Sequence, residues 1–171
     1  MIERRTIARV ICLALPAAVA AALAAPRTGG AAPEATFTIV ANQTASNGGE
    51  NYNGVDHGKL TMTVAPGTPV HVKFMTAKSA ALSHSFQVID LKGSAAAPVL
   101  PAEAEATPVF SGAETPNATA GTPPGKSVDV RFTASKPGHY LFICGFPGHA
   151  LLGMYGRLDV TAGAKPSLAV K

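Results

Sequence analysis

Residues 137–154 read Pro137-Gly138-His139-Tyr140-Leu141-Phe142-Ile143-Cys144, then Gly145-Phe146-Pro147-Gly148-His149-Ala150-Leu151-Leu152-Gly153-Met154. The first part is an apolar, aromatic run behind a Pro-Gly turn and predicts a β-strand. In the second, a thiol, an imidazole and a thioether recur every five residues. On a helix such steps would rotate the side chains by about 140° each, so the three would point apart. Pro147, Gly148 and Gly153 oppose a helix in any case. The segment is therefore expected to be a loop that leaves a strand at Cys144 and enters the next at Tyr155, and a loop can curl around one ion.

Upstream of this segment the chain is a series of short β-type runs: 36–41, 59–64, 70–75, 85–91 and 127–133, with 138–144 and 155–161 flanking the loop. Turn residues separate them, as in Ala65-Pro66-Gly67-Thr68-Pro69, Pro123-Pro124-Gly125-Lys126 and Ser135-Lys136-Pro137-Gly138. Helical periodicity is scarce. About 7–8 short strands in one domain predict an all-β, antiparallel Greek-key β-sandwich. Two stretches break the rhythm, the Asn- and Gly-crowded 42–57 and the Ala-, Pro- and Thr-rich 92–122. The second is read as a long, mobile loop excursion on one edge of the domain.

The N-terminus has a basic start, an apolar run from Val10 to Ala25 and the small-residue triplet Ala22-Leu23-Ala24. This predicts a signal peptide over 1–24, and hence a periplasmic or other extracytoplasmic location. Membrane attachment would follow only if this segment stayed uncleaved. Residues 25–35 are a flexible lead-in, 36–163 the domain and 164–171 a C-terminal tail. Loss of 1–24 removes Arg4, Arg5, Arg9 and Glu3, which lowers the formal charge of +4, and no Lys/Arg run with interleaved aromatics remains. Nucleic-acid binding has no electrostatic basis. Of two cysteines, Cys12 departs with the signal, leaving Cys144 as a single thiol in an oxidising compartment. Such a thiol is buried, paired between chains, or committed to a metal or to catalysis.

Two imidazoles, a thiolate and a weak axial thioether form the ligand set of type-1 blue-copper centres. The loop supplies Cys144, His149 and Met154. For the second imidazole we choose His84, in Leu82-Ser83-His84-Ser85-Phe86, because it opens a predicted strand far away in sequence. Its competitors are His57 in a Gly-rich loop, His71 between Val70 and Val72, whose alternation points it outward to the surface, and His139 at a turn. Soft sulfur donors hold Cu(I), imidazole accepts either state, and filling all four positions with protein leaves no room for substrate. Phe142, Ile143, Phe146, Leu151 and Leu152 would exclude water and favour a high reduction potential.

With these residues in view, the chain resembles the cupredoxins, and most nearly the sulfocyanin and rusticyanin group. The resemblance rests on the Cys-x₄-His-x₄-Met spacing from Cys144 to Met154, the strand 137–144, Phe146-Pro147-Gly148-His149, and Asn51-Tyr52-Asn53-Gly54. It spans roughly residues 36 to 161. It implies one copper ion, with His84 and Cys144 equatorial, His149 equatorial at the solvent edge and Met154 axial. It also implies that Ser85 ties the two ligand segments together and that the Phe146 amide donates to the Cys144 sulfur. Electrons would leave through an exposed His149 edge ringed by Phe146, Pro147, Ala150 and Leu151. The partners implied are redox proteins such as a cytochrome or a terminal oxidase or reductase, bound transiently.

Three rival readings follow from the same residues. A copper storage or delivery module would want exposed, exchangeable ligands, whereas these are enclosed by apolar side chains. A structural zinc site rarely employs Met. A Cys-His nucleophile would need an orienting Asn or Asp, and none is placed recognisably. The expectation is an electron carrier and not an enzyme.

Overall fold

The computed structural model describes residues 32–171. The expected signal peptide, Cys12 and most of the expected lead-in lie outside them. All seven expected strands form: β1 (Ala35–Ala41), β2 (Leu60–Val64), β3 (Thr68–Thr76), β4 (Gln87–Asp90), β7 (Ser127–Ala134), β8 (Gly138–Ile143) and β9 (Tyr155–Val160). Three short ones were not anticipated: β5 (Lys92–Gly93), β6 (Pro98–Val99) and β10 (Ser167–Val170). The last belongs to the stretch read as a tail; it pairs antiparallel with β2 from Ser167↔Thr63 to Val170↔Leu60.

Two sheets face each other, β1-β3-β7 and β10-β2-β9-β8-β4, while β5 and β6 form a separate small hairpin. The pairing is mixed, since β1 runs parallel to β3 and β2 parallel to β9. The purely antiparallel arrangement is corrected there: strands that return through long connections lie beside neighbours running the same way.

Alternation sets the faces. Phe37 and Ile39 of β1, Val70, Val72 and Phe74 of β3, and Val130 and Phe132 of β7 are buried against Leu60, Met62, Tyr140, Phe142 and Leu158 of the second sheet. At the centre, the Phe142 ring lies 5.5 Å from Tyr52 and 5.3 Å from Phe86, with Phe74 beyond. Gly156 pairs across the ladder with Phe142, and a Cβ at that position would sit 2.1 Å from the ring. Glycine is required there by the close approach of the ring.

The 92–122 segment is exposed over 92–97 and is tied to the sandwich at several points beyond them. Phe110 fills the edge between the sheets, 5.7 Å from Phe132 and 5.0 Å from Tyr140. Backbone bonds join Val109 and Ala113 to Val88, Thr115 to Phe86 and Thr122 to His84. The Gln87 side chain is held by the backbone of Glu105 and the carboxylate of Glu114. On the outer face of the larger sheet, Leu91 and Leu100 cover a second apolar cluster of Ile89, Leu141, Ile143, Ala150 and Tyr155. Few apolar anchors suffice because the backbone polar groups pair with a strand edge.

Candidate metal centre

The strand β8 delivers Cys144 to one end of the sandwich, and residues 145–153 turn back over it. The turn is closed by local bonds from His149 N–H to Phe146 O (3.1 Å), Leu152 N–H to Gly148 O (3.1 Å) and Gly153 N–H to Ala150 O (2.9 Å). Cys144 N–H then donates to Met154 O at 3.0 Å, and Met154 N–H to His149 O at 3.0 Å, so the three loop residues hold one another. Gly153 has φ +97, and a Cβ there would meet the His57 ring at 2.3 Å. His57 N–H donates to Gly153 O at 2.8 Å.

His84 arrives from the other side. A backbone bridge to Thr122 fixes it, with His84 N–H to Thr122 O at 3.2 Å and Thr122 N–H to His84 O at 2.6 Å. The ligand atoms of His84, Cys144 and His149 all lie within 4.8 Å of one another, and all three residues are buried. Both imidazoles present Nδ1 to the Cys144 sulfur, at 3.9 Å for His84 and 3.5 Å for His149. Their rings lie 4.9 Å apart. Met154 is fully buried in the same apolar cluster as Cys144.

Ser85 links the two segments. Its N–H donates to Cys144 Sγ at 3.3 Å, and its Oγ accepts from Gly145 N–H at 2.8 Å. The Tyr52 hydroxyl donates to Ser85 O at 2.5 Å, which brings the 42–57 stretch into the support of the site. Sequence reasoning left Tyr52 without a role; its place beside Asn51, Asn53 and Gly54 was the signal available. Burial pushes the Cys144 thiol up, against the Ser85 and Phe146 amides and the Ser85 hydroxyl, which favour the thiolate.

Two expectations change on the structure, those for Ala150 and His149, while His71 holds an outward, structural place. Ala150 is buried in the outer-face cluster and forms no part of the rim; Leu152 stands exposed beside Leu151 instead. His149 is only 4 % exposed, because the Phe146 ring covers it at 4.5 Å, so the solvent edge is narrow. His71 points away from the core but is buried among neighbours, with Nε2 2.6 Å from Asp129 and Nδ1 3.7 Å from Glu34. His57 and His139 bond Asp56 and Asp159 and remain well exposed. None of these three joins the cluster.

The donor set fits a copper ion on its own chemistry. Burial, and then the His149 charge, lower the His84 pKa to about 4, and burial also lowers that of His149. Both rings are thus neutral and ready to ligate. The same shifts predict how the metal-free protein responds to acid. An unfolded imidazole takes up a proton near pH 6.5, whereas folded His84 resists until about 4. Between these values the unfolded state binds more protons, so stability should fall steadily as pH drops through that window. It should fall again above about pH 9, where an unfolded thiol ionises before the buried one. Urea unfolding of apoprotein across pH 4–10 tests this, and a flat profile between pH 4 and 6.5 would contradict it.

A mixed β-sandwich in which one thiol and two imidazoles converge at one end is a cupredoxin, a blue-copper fold with one copper ion as its cofactor. A model described as "Sulfocyanin (SoxE) domain" matches residues 31–167, and the chain belongs to that family. Auracyanin-B of Chloroflexus aurantiacus is 34% identical over 108 residues, 60% of this chain. The chain spans about half of that relative, 46% of its length. The crystal structure of dithionite-reduced auracyanin from Roseiflexus castenholzii superposes with a TM-score of 0.50 at 28% identity, over 74% of this chain and 97% of that one. The copper protein rusticyanin shares the fold, with a TM-score of 0.52 at 20% identity over 78% and 80% of the two chains.

Proposed function

We propose that this protein is an exported electron carrier whose single copper would be held by His84, Cys144, His149 and Met154. The observation that carries the reading is the convergence of two neutral Nδ1 atoms on one buried sulfur inside a cupredoxin sandwich. Copper so held supplies one electron reversibly between Cu(I) and Cu(II). Every other part of the work belongs to the chain. Ser85 and Tyr52 hold the Cys144 sulfur and the His84 segment at a fixed separation, so neither oxidation state has to rearrange the site. Phe142 and Phe146 lie on the side of the sulfur and keep water from it, which disfavours the more highly charged state and supports a high potential. With four protein ligands no position is open for substrate, which supports a carrier and not an enzyme.

The covered His149 edge, with Phe146, Pro147, Leu151 and Leu152 around it, is the exit for the electron. Leu151 and Leu152 are each 57 % exposed and uncharged, a surface suited to brief docking with a redox protein such as a cytochrome or a terminal oxidase or reductase. The basic, apolar, small-residue order of residues 1–24 supports passage out of the cytoplasm.

The test is the visible spectrum of the copper-loaded oxidised protein, where an intense sulfur-to-copper band should bleach on reduction and return on oxidation. A colourless protein that does not cycle would reject the carrier. Within the same assay Met154→Leu should retain copper and colour. Its potential, measured by voltammetry, should rise by on the order of 60 mV, the one-electron equivalent of a tenfold preference for Cu(I). An unchanged potential would remove Met154 from the ligand set.

A further inference from the structure

Away from the metal centre, the outer face of the larger sheet carries a cavity of about 430 Å³, within the range of small-ligand sites. Its wall carries three cationic side chains and one carboxylate, that of Asp159. Lys59, Arg157 and Lys171 line it together with the imidazoles of His57 and His139. Two of these cations have a carboxylate: Lys59 Nζ is 2.9 Å from Asp56, and Lys171 Nζ is 3.3 Å from Asp159, which also bonds His139.

Arg157 differs. Among the described residues it forms no ion pair; its Nε donates to Gly58 O at 2.8 Å and its Nη2 to Ala95 O at 2.7 Å, both neutral acceptors. Those bonds fix the guanidinium without neutralising it, and a fixed, uncompensated guanidinium is a ready oxyanion donor.

The second observation is Thr61. It pairs with Arg157 across the parallel β2–β9 ladder and lines the same cavity. It is 1 % exposed, and its hydroxyl has no hydrogen-bond partner among the described residues. A buried, unused hydroxyl is costly unless a ligand engages it. Leu60 and Met62, on either side of it, face the core, so alternation turns Thr61 to the cavity.

We propose that this cavity binds a free phosphate- or sulfate-type oxyanion, with Arg157 and Thr61 as its direct donors and Lys59 and Lys171 supplying the surrounding positive field. Nothing in the electron-carrier reading requires it.

Isothermal titration of the full copper-loaded protein with inorganic phosphate, against sodium chloride of matched ionic strength, tests the proposal. Saturable binding with one site per chain is expected. Arg157→Gln should weaken it at least tenfold and Thr61→Val severalfold, while Lys73→Gln, on the other sheet, should leave it unchanged. Thermal melts and the visible band report whether each variant is folded; should Arg157→Gln unfold, Thr61→Val, which keeps the shape of the side chain, decides alone. Heat that grows with phosphate without saturating, or equal weakening by Lys73→Gln, would overturn the proposal.

Discussion

Cys144→Ser should abolish the intense visible band and reduce copper affinity by more than about 100-fold, the upper end of what the loss of an outer-sphere partner alone costs. A serine hydroxyl is a harder donor and does not ionise at neutral pH, so neither the sulfur-to-copper transition nor the preference for Cu(I) survives. The fold should survive. Cys144 is fully buried, and replacing the thiol by a hydroxyl in the same space costs about 1–3 kcal/mol if the hydroxyl goes unpaired. Here the Ser85 amide and hydroxyl stand close enough to offer it partners. Circular dichroism and the absorption spectrum, recorded together, separate the two effects. A variant that stays coloured would mean that the sulfur is not a ligand, and the carrier reading would fall with it.

Phe142→Ala should give the largest loss of stability, about 3–5 kcal/mol. The ring is fully buried, stacks on Phe86, meets Tyr52, and rests on Gly156 across the ladder. Because the glycine contributes no side chain, the vacated volume has little to collapse into it, which places the cost high in the range. For a domain of this size that corresponds to a melting temperature lower by on the order of 10 °C. The comparison belongs between apoproteins, since bound copper stabilises the native state by mass action. A loss below about 1 kcal/mol would mean that the aromatic cluster around Tyr52 can repack.

Much of this was legible in the chain. The seven longer strands declared themselves through β-branched and aromatic alternation between Pro-Gly turns, and the five-residue spacing of Cys144, His149 and Met154 excluded a helix. His84 was harder to read, because the start of a strand and the alternation around His71 are weak local signals and neither shows which imidazole meets the sulfur. What separates them is tertiary: the backbone of Thr122 holds His84 beside the sulfur, whereas Asp129 and Glu34 enclose His71 on the other sheet. The strand β10 and the anchored part of the 92–122 segment were not legible, since both are held by backbone pairing to other strands and carry little hydrophobic pattern of their own. Ala150 was misplaced for a related reason. A loop has no periodicity from which to tell which of its small apolar residues turns inward.

That 92–122 segment has one more consequence. It bonds the metal loop at two points, Ala104 N–H to Gly145 O and Gly148 N–H to Ala102 O, and it clamps His84 through Thr122. Its near end, at Ala95, also anchors Arg157. A designer wishing to shorten this chain would naturally trim its least patterned stretch, and in doing so would cut the brace that keeps two distant parts of the polypeptide in step. Grafting the Cys144–Met154 loop onto another sandwich should for the same reason transfer the ligands without the stiffness that surrounds them here.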